Sequence, residues 1–128
     1  MRTINVSKIR DAIAELCLKA NFELRGDILR ALQRALRKET NPRAKSILSE
    51  IIENARLARA NSIAICQDTG MVFVRFEIGQ DVRLAGGSLH TAVNDGVKEA
   101  YDRGCLRKSV VSDHLFRKNT KTNTPVRT

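Results

Sequence analysis

Ile63-Ala64-Ile65-Cys66-Gln67-Asp68-Thr69-Gly70, followed at once by Met71-Val72-Phe73-Val74-Arg75-Phe76-Glu77-Ile78, is the stretch around which the chain is organised. A short apolar run ends in a thiol, an amide, a carboxylate, a hydroxyl and a glycine. A second run, rich in β-branched and aromatic residues, begins directly after them. A tight turn between two apolar segments holds polar side chains rigidly, and a glycine there gives access to positive φ. On composition, the plain reading is a strand connection with a buried free cysteine, since free Cys is among the most buried residue types. Ile63–Ile65 and 71–78 therefore read as strands, and Val82-Arg83-Leu84 as a third short one after the Gly79-Gln80-Asp81 turn.

Upstream of this stretch the sequence reads as three amphipathic helices. Ile9, Ile13, Leu16, Cys17 and Ala20 recur at helical spacing behind Ser7, a candidate cap, and this places Cys17 on an apolar stripe. A second helix is expected from Asp27 to Lys38, with Ile28, Leu29, Leu32, Ala35 and Leu36 on one face and arginines on the other. Asn41-Pro42 is a start signal, cap then first helical residue, for a third helix carrying Ile47, Leu48, Ile51, Ile52, Ala55 and Ala58 and ending near Asn61. Each has one apolar face to bury, on the others or on the sheet.

Downstream, Gly86-Gly87-Ser88 leads into a helix with Leu89, Ala92, Val93, Val97, Ala100 and Tyr101 on one side, closed by Gly104. Ile13, Leu32, Ile51, Val93 and Val97 are the expected common core. Gly-Gly ahead of a helix invites a phosphate-loop reading, but neither GxxxxGK[ST] nor GxGxxG is present, and a shaped turn is the simpler account. Asp113 to Arg117 allows one helical turn. The polar Asn119 to Thr124 carries nothing with which to bury itself. The expected fold class is α+β: a helix-rich N-terminal half, then a small β-sheet and a long packing helix.

Bulk properties narrow the function classes. A chain of 128 residues suits one domain with its own core, and 42% hydrophobic with 29% charged residues is ordinary globular composition. No apolar run approaches the roughly 20 residues of a membrane span, and the first residues do not open a secretory signal, so the cytoplasm is expected. Net charge is +9. The cations are spread over helix faces without base-stacking aromatics, so nucleic acid is not the expected partner. Cysteines at 17, 66 and 105 are odd in number and widely spaced, which argues against a disulfide framework, and His90 and His114 stand at no usual metal spacing.

One set of motifs, in this order, carries a resemblance: Cys66-Gln67-Asp68-Thr69-Gly70, Glu77-Ile78-Gly79-Gln80-Asp81-Val82, Gly86-Gly87, Asn94-Asp95-Gly96-Val97, Leu106-Arg107-Lys108-Ser109-Val110-Val111 and Asn119-Thr120-Lys121-Thr122-Asn123-Thr124-Pro125. Together they resemble the N-terminal part of the iron–sulfur hydro-lyases, class I fumarate hydratase with the α subunit of L(+)-tartrate dehydratase. The resemblance covers the chain from about Asn5 to Pro125. It implies that residues 1–128 form one N-terminal part of such a catalytic domain, 1–61 helical and 62–128 α+β.

What the resemblance implies chemically is specific. Three cysteines of such enzymes hold a 4Fe–4S cluster whose fourth iron acts as a Lewis acid on carboxylate and hydroxyl oxygens. Cys66 matches one cluster ligand, Gln67 and Asp68 match substrate-contacting residues, and Asp68 is the candidate for proton transfer. Arg107 matches an arginine that grips a substrate carboxylate, a task suited to a bidentate guanidinium. The family's other two cluster cysteines lie in further sequence after Pro125, and neither Cys17 nor Cys105 stands at a ligand position. The implied activity is reversible hydration of a small dicarboxylate, fumarate or malate, with tartrate as the alternative. The cluster is expected to be incomplete in this chain, and a C-terminal half or a β subunit, in a homo- or hetero-oligomer, is the expected partner. A non-catalytic truncated interaction module is the competing reading.

Overall fold

The computed structural model describes residues 1–65 and 70–125. The chain divides into two compact units, one formed by Met1–Leu18 with Asp68–Thr128 and the other by Lys19–Gln67.

The first unit rests on a two-stranded parallel sheet. Strand β1 (Arg2–Asn5) pairs with β2 (Val82–Ala85) in the register Arg2 to Val82 through Asn5 to Ala85. Each strand runs straight into a helix: β1 into α1 (Val6–Phe22), β2 through Gly86-Gly87-Ser88 into a second helix at Leu89. Because the strands are parallel, both helices start at the same end of the sheet. The Asn5 carboxamide, not Ser7, caps α1, its Oδ1 accepting the Ser7 N–H at 2.9 Å. Gly86 packs against that cap. It adopts φ +87°, and a Cβ there would lie 2.7 Å from Asn5 Nδ2. The Gly-Gly pair is thus a turn shaped around a helix start.

β2 agrees with the expected third strand, and β1 lies where none was expected. Residues 63–65 and 71–78, read as strands, form no ladder among the described residues. From Met71 to Arg75 burial does alternate, with Met71 and Phe73 strongly exposed and Val72 and Val74 half-buried. The period-2 pattern is real, but among the described residues no neighbouring backbone pairs with it, and a strand needs a partner as well as a pattern.

Helix α1 carries a rotated apolar stripe. Val6, Ile13, Ala14, Cys17 and Leu18 are buried, whereas Leu16 is 60% exposed and Ala20 is also exposed. The buried face is the one turned to the last helix of this unit, as the contacts of Gly96 and Gly104 show. A Cβ at Gly96 would fall 2.5 Å from the Arg10 carbonyl oxygen and 3.0 Å from Ile13, and one at Gly104 would fall 2.6 Å from Leu18 Cδ2. Arg103 reaches Glu15 at 3.0 Å. The pairings advance together along both helices, so the two run in the same direction. Leu16 instead lines a groove of about 520 Å³ with β1, Ile9 and Val74–Phe76.

That last helix comes after the second unit, which holds α2 (Gly26–Lys38) and α3 (Pro42–Asn61). Asn41 caps α3 as expected, its side chain accepting from Arg43 N at 2.9 Å and Ala44 N at 3.3 Å. No residue of α2 is buried, and on α3 only Ala55 and Ala58 are. Ile28, Ile47 and Ile51 remain 42%, 52% and 44% exposed. A pair of helices covers only the strip where they touch, so Leu32 and Ile51 do not reach the core positions expected of them, while Ile13 and Val97 do.

Helix α4 (Leu89–Arg103) returns the chain to the first unit, with Ser88 Oγ accepting a long 3.5 Å bond from Thr91 N. Gly104 does not supply a left-handed C-terminus, having φ −85°; Cys105 does, at φ 49°. Leu106 N bonds Tyr101 O and Cys105 N bonds Asp102 O, the paired closing bonds of a Schellman motif. Gly104 is required by its packing on Leu18 instead. A non-glycine residue in the left-handed region is strained by roughly 1–2 kcal/mol. Cys105→Gly should therefore stabilise the protein by about 1 kcal/mol and raise its thermal midpoint by about 4 °C or more. A lower midpoint would mean that the exposed Cys105 side chain makes a compensating contact.

The architecture is α+β, helix-rich with one small sheet and the later helix α4 packed across α1. No described helix is long and apolar enough to cross a membrane.

Candidate functional site

The chain beyond α4 is organised by polar side chains. Leu106, 4% exposed, plugs the end of α4 and fixes the point from which Arg107 departs. Arg107 itself is exposed. Lys108 pairs with Asp102 on the last turn of α4, and this holds the carboxylate of Asp102 below its usual range. Residues 108–112 then lie against 118–120. Thr120 N donates to Val110 O at 2.9 Å, Ser112 N to Lys118 O at 2.7 Å, and Asn119 Nδ2 to Lys108 O at 2.8 Å. At the tip Asp113 Oδ1 accepts from Leu115 N and Phe116 N, making the turn expected there, and leaves both side chains almost fully exposed.

The end of the segment Asn119–Thr124 is buried, contrary to what its polarity suggests, while Asn119 and Lys121 stay exposed. Asn123 and Thr124 are 4% and 8% exposed. Asn123 Oδ1 accepts from Ser109 N at 2.9 Å and Val110 N at 3.2 Å, and its Nδ2 donates to the Gly70 carbonyl at 3.3 Å. Thr122 and Thr124 share a 2.8 Å hydroxyl bond. Burying such groups is costly only when they lack partners, and no buried side-chain nitrogen or oxygen among the described residues lacks one. Hydrogen-bond satisfaction does here what apolar area does elsewhere.

Of the residues singled out from the sequence, Arg107 lies in this region, two residues from Ser109 in the chain. Cys66, Gln67 and Asp68 lie outside the described residues, which resume at Gly70, the residue that Asn123 holds. Asn123 itself was missed as a candidate. Its signal was an asparagine within a threonine run before a proline, the residue type that tolerates φ 57° and offers two donors and two acceptors.

The other two cysteines do not fit a three-thiolate cluster. Cys17 is buried on α1, where burial pushes its thiol up and disfavours the thiolate a metal needs. Cys105 stands exposed at the left-handed residue that ends α4. Among the described residues no three His, Cys, Asp or Glu side chains are grouped so as to hold a metal ion.

The sequence pattern of the fumarate hydratase (Fumerase) family matches residues 10–128, nearly the whole chain, and the protein belongs to that family. Two relatives narrow the neighbourhood. The chain is 36% identical over 117 residues to "Putative L(+)-tartrate dehydratase subunit alpha" of Methanocaldococcus jannaschii, a match covering 91% of this chain and 41% of that one. It is 29% identical over 119 residues to "Putative fumarate hydratase class I" of Geobacillus stearothermophilus, covering 92% of this chain and 23% of that one. The chain thus spans less than half the length of either relative.

Proposed function

We propose that this chain is the N-terminal part of an iron–sulfur hydro-lyase of the cytoplasm that hydrates and dehydrates a small dicarboxylate of the fumarate and malate type. The observation that carries the reading is the family match across residues 10–128, which takes in the Cys66-Gln67-Asp68-Thr69-Gly70 motif and Arg107 alike. In this reading Cys66 supplies one thiolate to a 4Fe–4S cluster, Gln67 and Asp68 contact the substrate, and Asp68 holds or moves the proton at its carboxylate. Arg107 leaves a backbone anchored by Leu106 and binds a substrate carboxylate through two parallel N–H bonds. Because Cys17 and Cys105 do not suit the cluster, two thiolates come from other polypeptide. A C-terminal portion or β subunit is the expected partner, and one N-terminal part of a single catalytic domain is the role assigned to residues 1–128.

Tartrate is the second reading for the substrate, favoured by the higher identity to the tartrate dehydratase relative. Both readings meet the same experiment. The 128-residue chain is reconstituted anaerobically with iron and sulfide, alone and together with the further portion that the longer relatives possess. Iron and sulfide per chain are measured beside fumarate hydration by absorbance and tartrate dehydration. The chain alone is expected to hold no stoichiometric cluster and to turn over neither substrate, the combined protein to do both, and Cys66→Ser to abolish both. A full cluster with turnover on the chain alone would overturn the assignment of the missing thiolates. A combined protein that binds a cluster yet acts on neither acid would overturn the substrate class.

A further inference from the structure

Asn123 is a buried polar group that the proposed chemistry leaves without a task. Its carboxamide touches separate pieces of chain: Gly70 through Nδ2, and Ser109 and Val110 through Oδ1. The phenol of Tyr101 on α4 is raised by burial and by nearby Cys17, and its hydrogen bond with Asn123 works against the rise. The backbone at Asn123 stands at φ 57°, a region that Asn and Gly enter more easily than other residues.

The sequence positions of its partners give this arrangement a purpose. Gly70 is the second residue after Asp68, and Ser109 is the second after Arg107. We propose that Asn123 is a positioning residue that sets the spacing between the chain following Cys66-Gln67-Asp68-Thr69 and the chain following Arg107. One rigid planar group spans the two backbones, so neither shifts without breaking a buried hydrogen bond. Two groups that hold opposite ends of a small dianion need a fixed separation, and displacement of about 1 Å is enough to lose much of the effect. The purpose rests on the proposed function, whereas the spacing itself does not.

Two variants separate positioning from mere filling of space. Asn123→Asp has the same shape and still accepts from Ser109 and Val110. It cannot donate, and it sets a carboxylate oxygen against the Gly70 carbonyl. Asn123→Gly keeps the left-handed backbone and removes every link. The reporters are amide exchange over 70–75 and at 109–110 and iodoacetamide labelling of Cys17, read by mass spectrometry. Cys17, buried on α1, reports opening of the whole unit.

In Asn123→Asp, amide exchange over 70–75 is expected to quicken about tenfold, the scale set by one lost buried hydrogen bond, with Cys17 labelling unchanged. Amide exchange at Ser109 and Val110 should stay slow in Asn123→Asp and become fast in Asn123→Gly. In the protein completed with the further portion of the longer relatives, malate should bind Asn123→Asp about tenfold more weakly than the parent, again by that one bond. Equal exchange over 70–75 in parent and Asn123→Asp would overturn the proposal. So would Cys17 labelling accelerating together with that exchange, or both variants failing to fold, since Asn123 would then hold the fold and not the spacing. The exchange effect without any malate binding by the completed parent would sink the dicarboxylate reading and leave the positioning role standing.

Discussion

Val97→Asp is expected to unfold the unit built on α1 and α4, at a cost of about 4 kcal/mol or more. Val97 is 4% exposed on the face of α4 that carries Ala92, Gly96 and Ala100. Removing the isopropyl group forfeits roughly 1.5–3 kcal/mol of burial. A carboxyl group placed there finds no water and costs roughly 2 kcal/mol more even when neutral. The introduced acid will hold its proton to higher pH in the folded state than in the unfolded one. The charge-related part of its damage therefore grows as pH rises from the usual carboxylate range to the raised folded-state value, and is relieved as pH falls back to that range. Val93, one turn earlier, is only half-buried, so Val93→Asp should cost clearly less. Thermal and urea unfolding followed by circular dichroism compare the two. Equal losses at 93 and 97 would mean that α4 is rotated from the register described.

Gly96→Ala should give the second large effect, about 2 kcal/mol of net destabilisation. In an exposed helix this substitution would stabilise by about 1 kcal/mol through propensity. At Gly96 the added methyl meets the Arg10 carbonyl at 2.5 Å, and a backbone oxygen cannot rotate away as a side chain could. The helices must separate, and against a backbone oxygen the cost falls at the upper end of the overpacking range, about 3 kcal/mol. The fall in thermal midpoint should be about 10 °C for a unit of this size. The contact of Arg103 with Glu15 would report the same separation, since it joins the helices near their other ends. A midpoint that rises on Gly96→Ala would show that α1 and α4 do not approach as closely as Gly96 implies.

Both substitutions also test how the first unit supports the segment beyond α4. Leu106 ends the helix and Arg107 leaves from it, so the direction of Arg107 depends on how α4 lies on α1. Asn123 then ties the same stretch to Gly70. Under the proposed function, in which Arg107 grips a substrate carboxylate, Gly96→Ala is expected to weaken dicarboxylate binding by the completed protein as well as stability.

Local chemistry determined more of this protein than its length suggests. Asn41-Pro42 started α3 and Ser88 started α4, because a cap and a helix start are contacts within four residues. The α+β class and the later helix came from periodicity in the same way, and the order of short motifs led to the family. The tertiary structure decided what depends on distant partners. β1 at Arg2–Asn5 exists because Val82–Ala85 lies beside it, while 71–78 has the pattern of a strand and no ladder. The stripe on α1 is rotated because α4 chooses which side to cover, and the apolar face of α2 is only partly covered because one neighbouring helix covers too little. Asn123 is the plainest case. Its polarity marks it as a surface residue, and only donors and acceptors from Ser109, Val110 and Gly70, brought together by the fold, make its burial favourable. Periodicity reports what one residue needs from its near neighbours, whereas a hydrogen-bond partner 53 residues away is a property of the folded chain alone.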